Sequence, residues 1–162
     1  MREFGGLTHS ARRFRDSISN ADPSASQEAW ALAKLSSAEA VLWSAQAGRD
    51  RRHSLAVARH VGDAEPWIVV AALTHDVGKT SASLGVVGRT VATVLELLRI
   101  PFALGRLGRY LQYPAHGAHL LAAAASDPLV VAWAAEHHRA SEYWSVPAEA
   151  GRLLALADRV AR

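Results

Sequence analysis

Trp67-Ile-Val-Val-Ala-Ala-Leu-Thr-His75-Asp76-Val77-Gly78-Lys79 is an apolar run that ends in three ionisable residues. Its first eight residues are apolar on every side of a helix, which predicts a helix that is buried on all faces. An imidazole, a carboxylate and an ammonium at the end of such a helix cost free energy unless they are paired or bind a cation. The stretch therefore predicts an internal helix that delivers His75, Asp76 and Lys79 to a polar site.

Helix-capping signals divide the rest of the chain into further helices. Ser24 with Gln27 and Ser36 with Glu39 both have the spacing of a capping box. The later predicted helices run from Asp50 to about Gly62, from Asp63 to about Val77, from about Val86 to Arg99, from about Pro114 to Ala125, from the Asp127-Pro128 cap onward, and from about Pro147 to Ala161. The alternation typical of strands is not evident. The sequence therefore predicts an all-α fold.

Length and composition predict one domain. The chain has 162 residues, of which 50% are hydrophobic and 20% charged, enough to bury a continuous core in a single-domain helical bundle. Residues 1–23 are predicted to be a loosely attached N-terminal segment, and residues 24–162 the helical domain. No apolar run reaches the roughly 18 residues of a membrane span, and the N-terminus lacks the apolar region of a secretory signal. We therefore expect a cytoplasmic protein with no membrane partner.

The charge pattern argues against a nucleic-acid partner. The chain carries 18 basic and 15 acidic residues, a net charge of +3, and only two of the basic residues are lysines, Lys34 and Lys79. The arginines are dispersed, whereas a nucleic-acid interface calls for a dense basic stripe with aromatic residues interleaved. A solvated arginine surface is the simpler interpretation. An arginine-rich adaptor for nucleic acid or protein is kept as an alternative.

The absence of cysteine limits the available chemistry. It excludes disulfides, thiolate nucleophiles and cysteine-rich zinc sites, so that any metal must be held by His, Asp or Glu. His53 and Asp158 interrupt the apolar faces of their predicted helices in the same way as His75 and Asp76 interrupt theirs. The four side chains form a set of two nitrogen and two oxygen donors, which suits a divalent ion such as Mn²⁺, Mg²⁺, Fe²⁺ or Zn²⁺. The sequence does not choose among these metals.

The order of these residues resembles a known signature. His53, then His75-Asp76, then Asp158 resembles the H…HD…D pattern of the HD superfamily of metal-dependent phosphohydrolases. The run from His75 to Lys79 resembles its HD-[IV]-G-K form, and the resemblance covers about residues 48–160. It implies an all-helical core, a metal held by the four named residues, and hydrolysis of a phosphoester. The expected partner is a small phosphorylated substrate, with a nucleotide as one option, and a homo-oligomer is compatible with the sequence.

The sequence departs from the family pattern at a second metal position. Some HD proteins, including the HD-GYP phosphodiesterases, hold a second metal through a histidine before a Pro-x-x-Gly-Ala-x-x-Leu stretch and a later His-His pair. The pair is present as His137-His138, but Tyr113 stands where that family has histidine. His116, one helical turn on, is an alternative ligand. The chain also lacks the Asp-Gly-x-Gly-Tyr-Pro element, so the sequence does not support specificity for cyclic di-GMP.

The resemblance implies a role for each site residue. Asp76 would act both as a metal ligand and as the group that orients the attacking water. Lys79, with Arg139, would bind the substrate and neutralise charge on the phosphoryl oxygens. His137 or His138 would protonate the leaving oxygen or bind a second ion.

A rival interpretation is a catalytically silent HD module. Such a module would use the same pocket to bind a nucleotide or a protein partner. Tyr113 in place of histidine favours the silent module, whereas Lys79 and the four-residue ligand set favour the enzyme. In either case Trp144 follows the His-His pair closely and is a candidate to line a base-sized pocket beside the site.

Overall fold

The computed structural model describes residues 21–81 and 113–161, and within these ranges the protein is all-helical, with no strand. The described residues form seven α-helices, which are α1 (Ala25–Leu32), α2 (Ser37–Ser44), α3 (Gly48–Val61), α4 (Pro66–Thr74), α5 (Tyr113–Ala123), α6 (Pro128–Glu136) and α7 (Ala148–Ala161), and 3₁₀-helices span Val77–Ser81 and Ser141–Tyr143. The predicted all-α fold is confirmed. None of the described helices is long and apolar enough to cross a membrane.

The local capping signals are confirmed at three helix starts. Ser24 and Ser36 each form a complete capping box at the start of α1 and α2. The Asp127 carboxylate accepts a hydrogen bond from a first-turn backbone N–H of α6. Pro66 and Pro128 occupy the first turns of α4 and α6, where a missing N–H costs no helix hydrogen bond.

Two predicted caps are wrong. α3 begins after Ala47, and Asp50 lies within its first turn with its side chain in the interior, so this carboxylate is not placed over the helix start. α4 begins after Glu65 instead of Asp63, because Pro66 fixes the backbone of the first helical position, and it ends at Thr74. The segment predicted as a helix from about residue 86 to 99 lies outside the described residues, as do residues 1–20.

α4 is the internal helix of the bundle, as its apolar run predicts. Residues buried along it are Ile68, Val69, Ala71, Ala72, Leu73 and Thr74. It packs mainly against α3 and α6, with smaller contacts to α2 and α7, while α7 packs along α3. α4 thus has other helices on several sides, and a polar residue at its buried end must find its partners inside the bundle.

The first two helices are attached to α3 by polar contacts. The indole Nε1 of Trp43 donates to Ser54 Oγ at 3.0 Å, and both side chains are buried. The Arg51 guanidinium binds Glu28 of α1 and lies 2.6 Å from Asp22 Oδ1, so residue 22 of the predicted N-terminal segment contacts α3. Whether residues 1–20 are loosely attached stays a prediction.

The 3₁₀-helix after α4 lies against the start of α5 through two glycines. A Cβ atom added to Gly78 would overlap the carbonyl oxygen of Tyr113 and lie 2.7 Å from the backbone nitrogen of Gly117. A Cβ added to Gly117 would lie 3.1 Å from the backbone nitrogen of Gly78. The two backbones approach so closely because neither residue carries a side chain. This contact places the residues after Asp76 beside Tyr113.

We predict that Gly78→Ala destabilises the fold by about 3 kcal/mol or more, because the added methyl group meets backbone atoms that cannot turn away. Gly117→Ala is the matched comparison and should cost less, since its Cβ has a longer contact and alanine favours a helix. Urea unfolding followed by circular dichroism measures both. A Gly78→Ala variant as stable as the wild type would contradict the close packing.

Candidate metal centre

Three helices bring together a group of metal-ligand atoms. His53 lies on α3, His75 caps the end of α4, and Asp158 lies on α7. Nε2 of His53 is 2.9 Å from Asp158 Oδ1, and Nε2 of His75 is 4.0 Å from the same oxygen. One donor atom of each residue lies within 4.8 Å of the other two. This group could hold a metal ion, although His53 and Asp158 are 105 residues apart in sequence.

The hydrogen bonding of His75 presents a free lone pair to this group. Its Nδ1 donates to the Ala72 carbonyl oxygen at 2.9 Å, so in the neutral ring Nε2 is the acceptor nitrogen and faces the carboxylates. Such a backbone partner is the usual way in which a metal-binding histidine is oriented. The His75 side chain is 3% exposed, and burial lowers its pKa. The neutral, ligand-ready form is therefore favoured near neutral pH.

Asp76, the fourth predicted ligand, lies beside the group of three and has a different partner. Its Oδ2 is 3.5 Å from His75 Nε2 and accepts a hydrogen bond from the Lys79 ammonium. Burial by itself would raise the pKa of Asp76, but His75 and Lys79 hold it well below its ordinary value. Asp76 is therefore a buried carboxylate, and it is not one of the three residues whose donor atoms already converge.

His137 contributes an orphaned nitrogen to the other side of Asp76. Its Nδ1 lies 3.2 Å and 3.1 Å from the carbonyl oxygens of Trp133 and Ala134, to which it donates. Its Nε2 is buried, has no hydrogen-bond partner and lies 3.9 Å from Asp76 Oδ1. A buried acceptor without a partner is costly, and a cation beside Asp76 would satisfy it. The donor set thus fits a divalent ion.

Burial and the nearby His75 lower the pKa of His137 to about 4. Its imidazole is therefore neutral near neutral pH, which is the form that binds metals.

Tyr113 joins the site through His138. The Tyr113 hydroxyl and His138 Nε2 share a hydrogen bond, and the Lys79 ammonium lies 5.0 Å from the centroid of the Tyr113 ring. His138 is thus paired with a phenol through one ring nitrogen. The predicted alternative ligand, His116, lies on α5 and is not part of the converging group that the described residues form.

Sequence reasoning missed one further acidic residue of the site. Asp50 lies one turn before His53 on α3 and is buried. Burial raises its pKa, while the nearby Lys79 charge lowers it and the Asp76 charge raises it further. Its spacing of three residues from His53 was the available signal, because residues three apart share a helix face. The capping interpretation of Asp50 obscured that signal.

A cavity of about 430 Å³ adjoins the candidate metal centre. Its walls include four of the site residues described above, His75, His137, His138 and Asp158, and the predicted phosphate-binding Arg139. The lining residues are Val57, His75, Trp133, His137, His138, Arg139, Ser141, Trp144, Leu154, Ala155, Asp158 and Arg159. A ligand in the cavity would therefore contact the metal-ligand group and basic side chains together.

Comparison of the chain with protein-family models, with curated proteins and with solved structures found no match.

We predict that the purified protein binds about one divalent ion per chain, and that His75→Ala and Asp158→Ala each remove it, because each deletes a donor atom of the converging group. His116→Ala is the control and should retain the metal. Elemental analysis by mass spectrometry of dialysed protein measures the content. Metal retained in both ligand variants would contradict the site, and two ions per chain with one lost in His116→Ala would show a second site.

The pKa of His137 predicts a loss of stability in acid. Because its pKa in the folded protein, about 4, lies below the ordinary histidine value of 6.5, the unfolded chain takes up the proton first as pH falls. The contribution of neutral His137 to the free energy of unfolding is complete above pH 6.5. As pH falls from 6.5 to 4, the free energy of unfolding decreases by up to about 3 kcal/mol. Urea unfolding of chelator-treated protein across this range measures it. His137→Gln should flatten the pH dependence, and an unchanged slope would contradict the assignment.

Proposed function

We propose that this protein is a metal-dependent phosphohydrolase of the HD type, acting on a small phosphoester. One observation carries the proposal: the donor atoms of His53, His75 and Asp158 converge at the wall of a cavity that also has basic side chains. Their order along the chain, with the His75-Asp76 pair, has the pattern that the HD resemblance implies. A phosphate ester suits such a site, because a metal and cationic side chains both stabilise negative charge on phosphoryl oxygens.

His53, His75 and Asp158 would hold the metal, and Asp76 lies close enough to His75 to join them. Nitrogen and oxygen donors together suit Mn²⁺, Fe²⁺ or Zn²⁺ and accommodate Mg²⁺. A divalent ion supplies Lewis acidity toward a phosphate oxygen and toward water. Asp76, which remains a carboxylate, accepts hydrogen bonds and so orients a water beside the ligand group.

Lys79 and Arg139 supply positive charge for the phosphoryl oxygens. The Lys79 ammonium donates a hydrogen bond to Asp76 and lies over the Tyr113 ring. These two contacts fix its position next to the metal-ligand group. Arg139 lies on the cavity wall. Cations fixed in advance in a partly buried site stabilise negative charge that develops in a transition state without reorganising.

His138 is better suited than His137 to protonate the leaving oxygen. The pKa of His137, about 4, leaves it without a proton near neutral pH. His138 lines the cavity and shares a hydrogen bond with the Tyr113 hydroxyl, so that this pair holds a proton at the cavity wall. A proton held there is what a leaving alkoxide requires.

A catalytically silent HD module is the second candidate, and two contacts favour it. Lys79 is paired with Asp76, and His138 is paired with Tyr113, so groups that the enzyme would use are already bound to each other. Such a module would bind a nucleotide or a protein partner in the same cavity. Release of phosphate by the metal-loaded wild type from a panel of phosphomonoesters and nucleotides separates the two functions.

We predict that Lys79→Ala lowers kcat by about a hundredfold or more, the typical effect of removing one electrostatic donor, and leaves the metal content unchanged. Lys34→Ala is the matched control, since Lys34 is the only other lysine and lies at the end of α1. Phosphate release and elemental analysis of the same samples measure both effects. Full activity in Lys79→Ala would contradict its role. If the metal-loaded wild type hydrolyses no substrate, the silent module is the better description.

A further inference from the structure

A run of ring contacts connects the candidate metal centre to Trp144. The rings of His75 and His137 have centroids 5.3 Å apart, and the Trp133 ring is 6.1 Å from that of His137. Trp133 in turn packs edge-on against Trp144, with centroids 5.3 Å apart and an interplanar angle of 71°. Trp144 is therefore only two ring contacts away from the orphaned nitrogen of His137.

The Trp144 indole is held in one position from several sides. Its Nε1 donates to the Arg139 carbonyl oxygen at 3.1 Å. On α7, Gly151 makes room for it, because a Cβ atom there would lie 2.6 Å from Trp144 Cε3. The next residue, Ser145, donates to the Glu136 carboxylate through its backbone N–H at 2.7 Å and its Oγ at 2.8 Å. These contacts fix the ring before any ligand arrives, and part of it borders the cavity.

The cavity combines an aromatic wall with positive charge. Trp144 supplies the part-exposed aromatic surface, with the buried Trp133 and Leu154 behind the wall, while Arg139 and Arg159 supply the charge. Its volume of about 430 Å³ lies within the range of small-ligand sites. A single phosphate group would leave most of this space, and the part of the Trp144 indole that borders it, unused.

We propose that Trp144 is a specificity-determining residue: it contacts a planar aromatic or heterocyclic group on the alcohol side of a phosphate ester bound in this cavity. This inference rests on the proposed function, because the metal centre and the arginines are assigned to the phosphate. The preferred substrates are then phosphomonoesters of planar alcohols. Flexible aliphatic esters of the same charge bind less tightly, because they cannot offer a flat face to the indole.

Three phosphonates test the contact without being hydrolysed, since they contain a C–P bond in place of the ester. Phenylphosphonate and cyclohexylphosphonate have the same charge and nearly the same size and differ in planarity, while methylphosphonate reports the phosphate site alone. We expect metal-loaded wild type to bind phenylphosphonate about three- to tenfold more tightly than cyclohexylphosphonate in isothermal titration calorimetry, the range that an aromatic pair contributes.

Variants assign this preference to one residue. Trp144→Leu should bring the two dissociation constants within about twofold of each other and leave that of methylphosphonate unchanged. Trp144→Phe should keep part of the preference, because it retains a ring. Trp30→Leu is the matched control, since Trp30 lies on α1 and does not line this cavity. If Trp144→Leu fails to fold by circular dichroism, Gly151→Ala, which displaces the indole, should reduce the preference instead.

The outcomes separate this inference from the function on which it rests. Equal binding of the two ring compounds by the wild type overturns the role of Trp144 and leaves the phosphohydrolase proposal standing, provided that methylphosphonate binds. A preference that persists undiminished in Trp144→Leu, or that disappears in Trp144→Phe, also overturns it. If none of the three phosphonates binds the metal-loaded protein, the proposed function itself fails, and the inference falls with it.

Discussion

Burial of the Asp76 carboxylate at the end of α4 is the constraint on which the rest of the site depends. An ionised carboxylate deep in a helical bundle is stable only when positive or polar groups surround it. Lys79 supplies an ammonium from the next turn of the chain, and His75 and His137 approach from two sides. His75 lies at the end of α4, Lys79 in the following 3₁₀-helix and His137 at the end of α6, so the carboxylate connects these three elements. Removing it would take away the carboxylate to which the Lys79 ammonium donates.

The arrangement of these partners also explains why the polar groups form two clusters. His53, His75 and Asp158 converge where α3, α4 and α7 meet, and their donor atoms are within reach of one ion. Lys79, Tyr113 and His138 lie where the 3₁₀-helix meets α5 and the end of α6. The close approach of Gly78 to Tyr113 brings this second cluster against the first. A phosphoester between the two would meet a metal on one side and proton and charge donors on the other.

The cavity adds a requirement for ligand shape to the requirement for charge that the ionisable residues impose. Two indoles and two arginines share its walls with the metal-ligand group. Ligand recognition in such a space combines an electrostatic contact, which any anion can make, with an apolar contact, which depends on shape. Affinity for phosphate and selectivity among phosphate esters would therefore come from different parts of the protein. The phosphohydrolase and the silent module need the same cavity and differ only in whether the charged groups act on a bound ester.

The sequence by itself determined the all-helical fold, the capped starts of α1, α2 and α6 and the internal position of α4, because capping residues and an unbroken apolar run act locally. It also named His53, His75 and Asp158, since each interrupts an apolar helix face. Only the tertiary structure decided that Asp76 pairs with Lys79, that Tyr113 binds His138 and that His137 keeps an orphaned nitrogen. Tyr113 and His138 lie on different elements, so their contact depends on how the helices pack. Asp76 and Lys79 are only three residues apart, and their pairing depends on how the chain turns after α4. Asp50 shows the same limit, because an aspartate at a helix start has the local pattern of a cap whether its side chain covers the helix end or turns into the core.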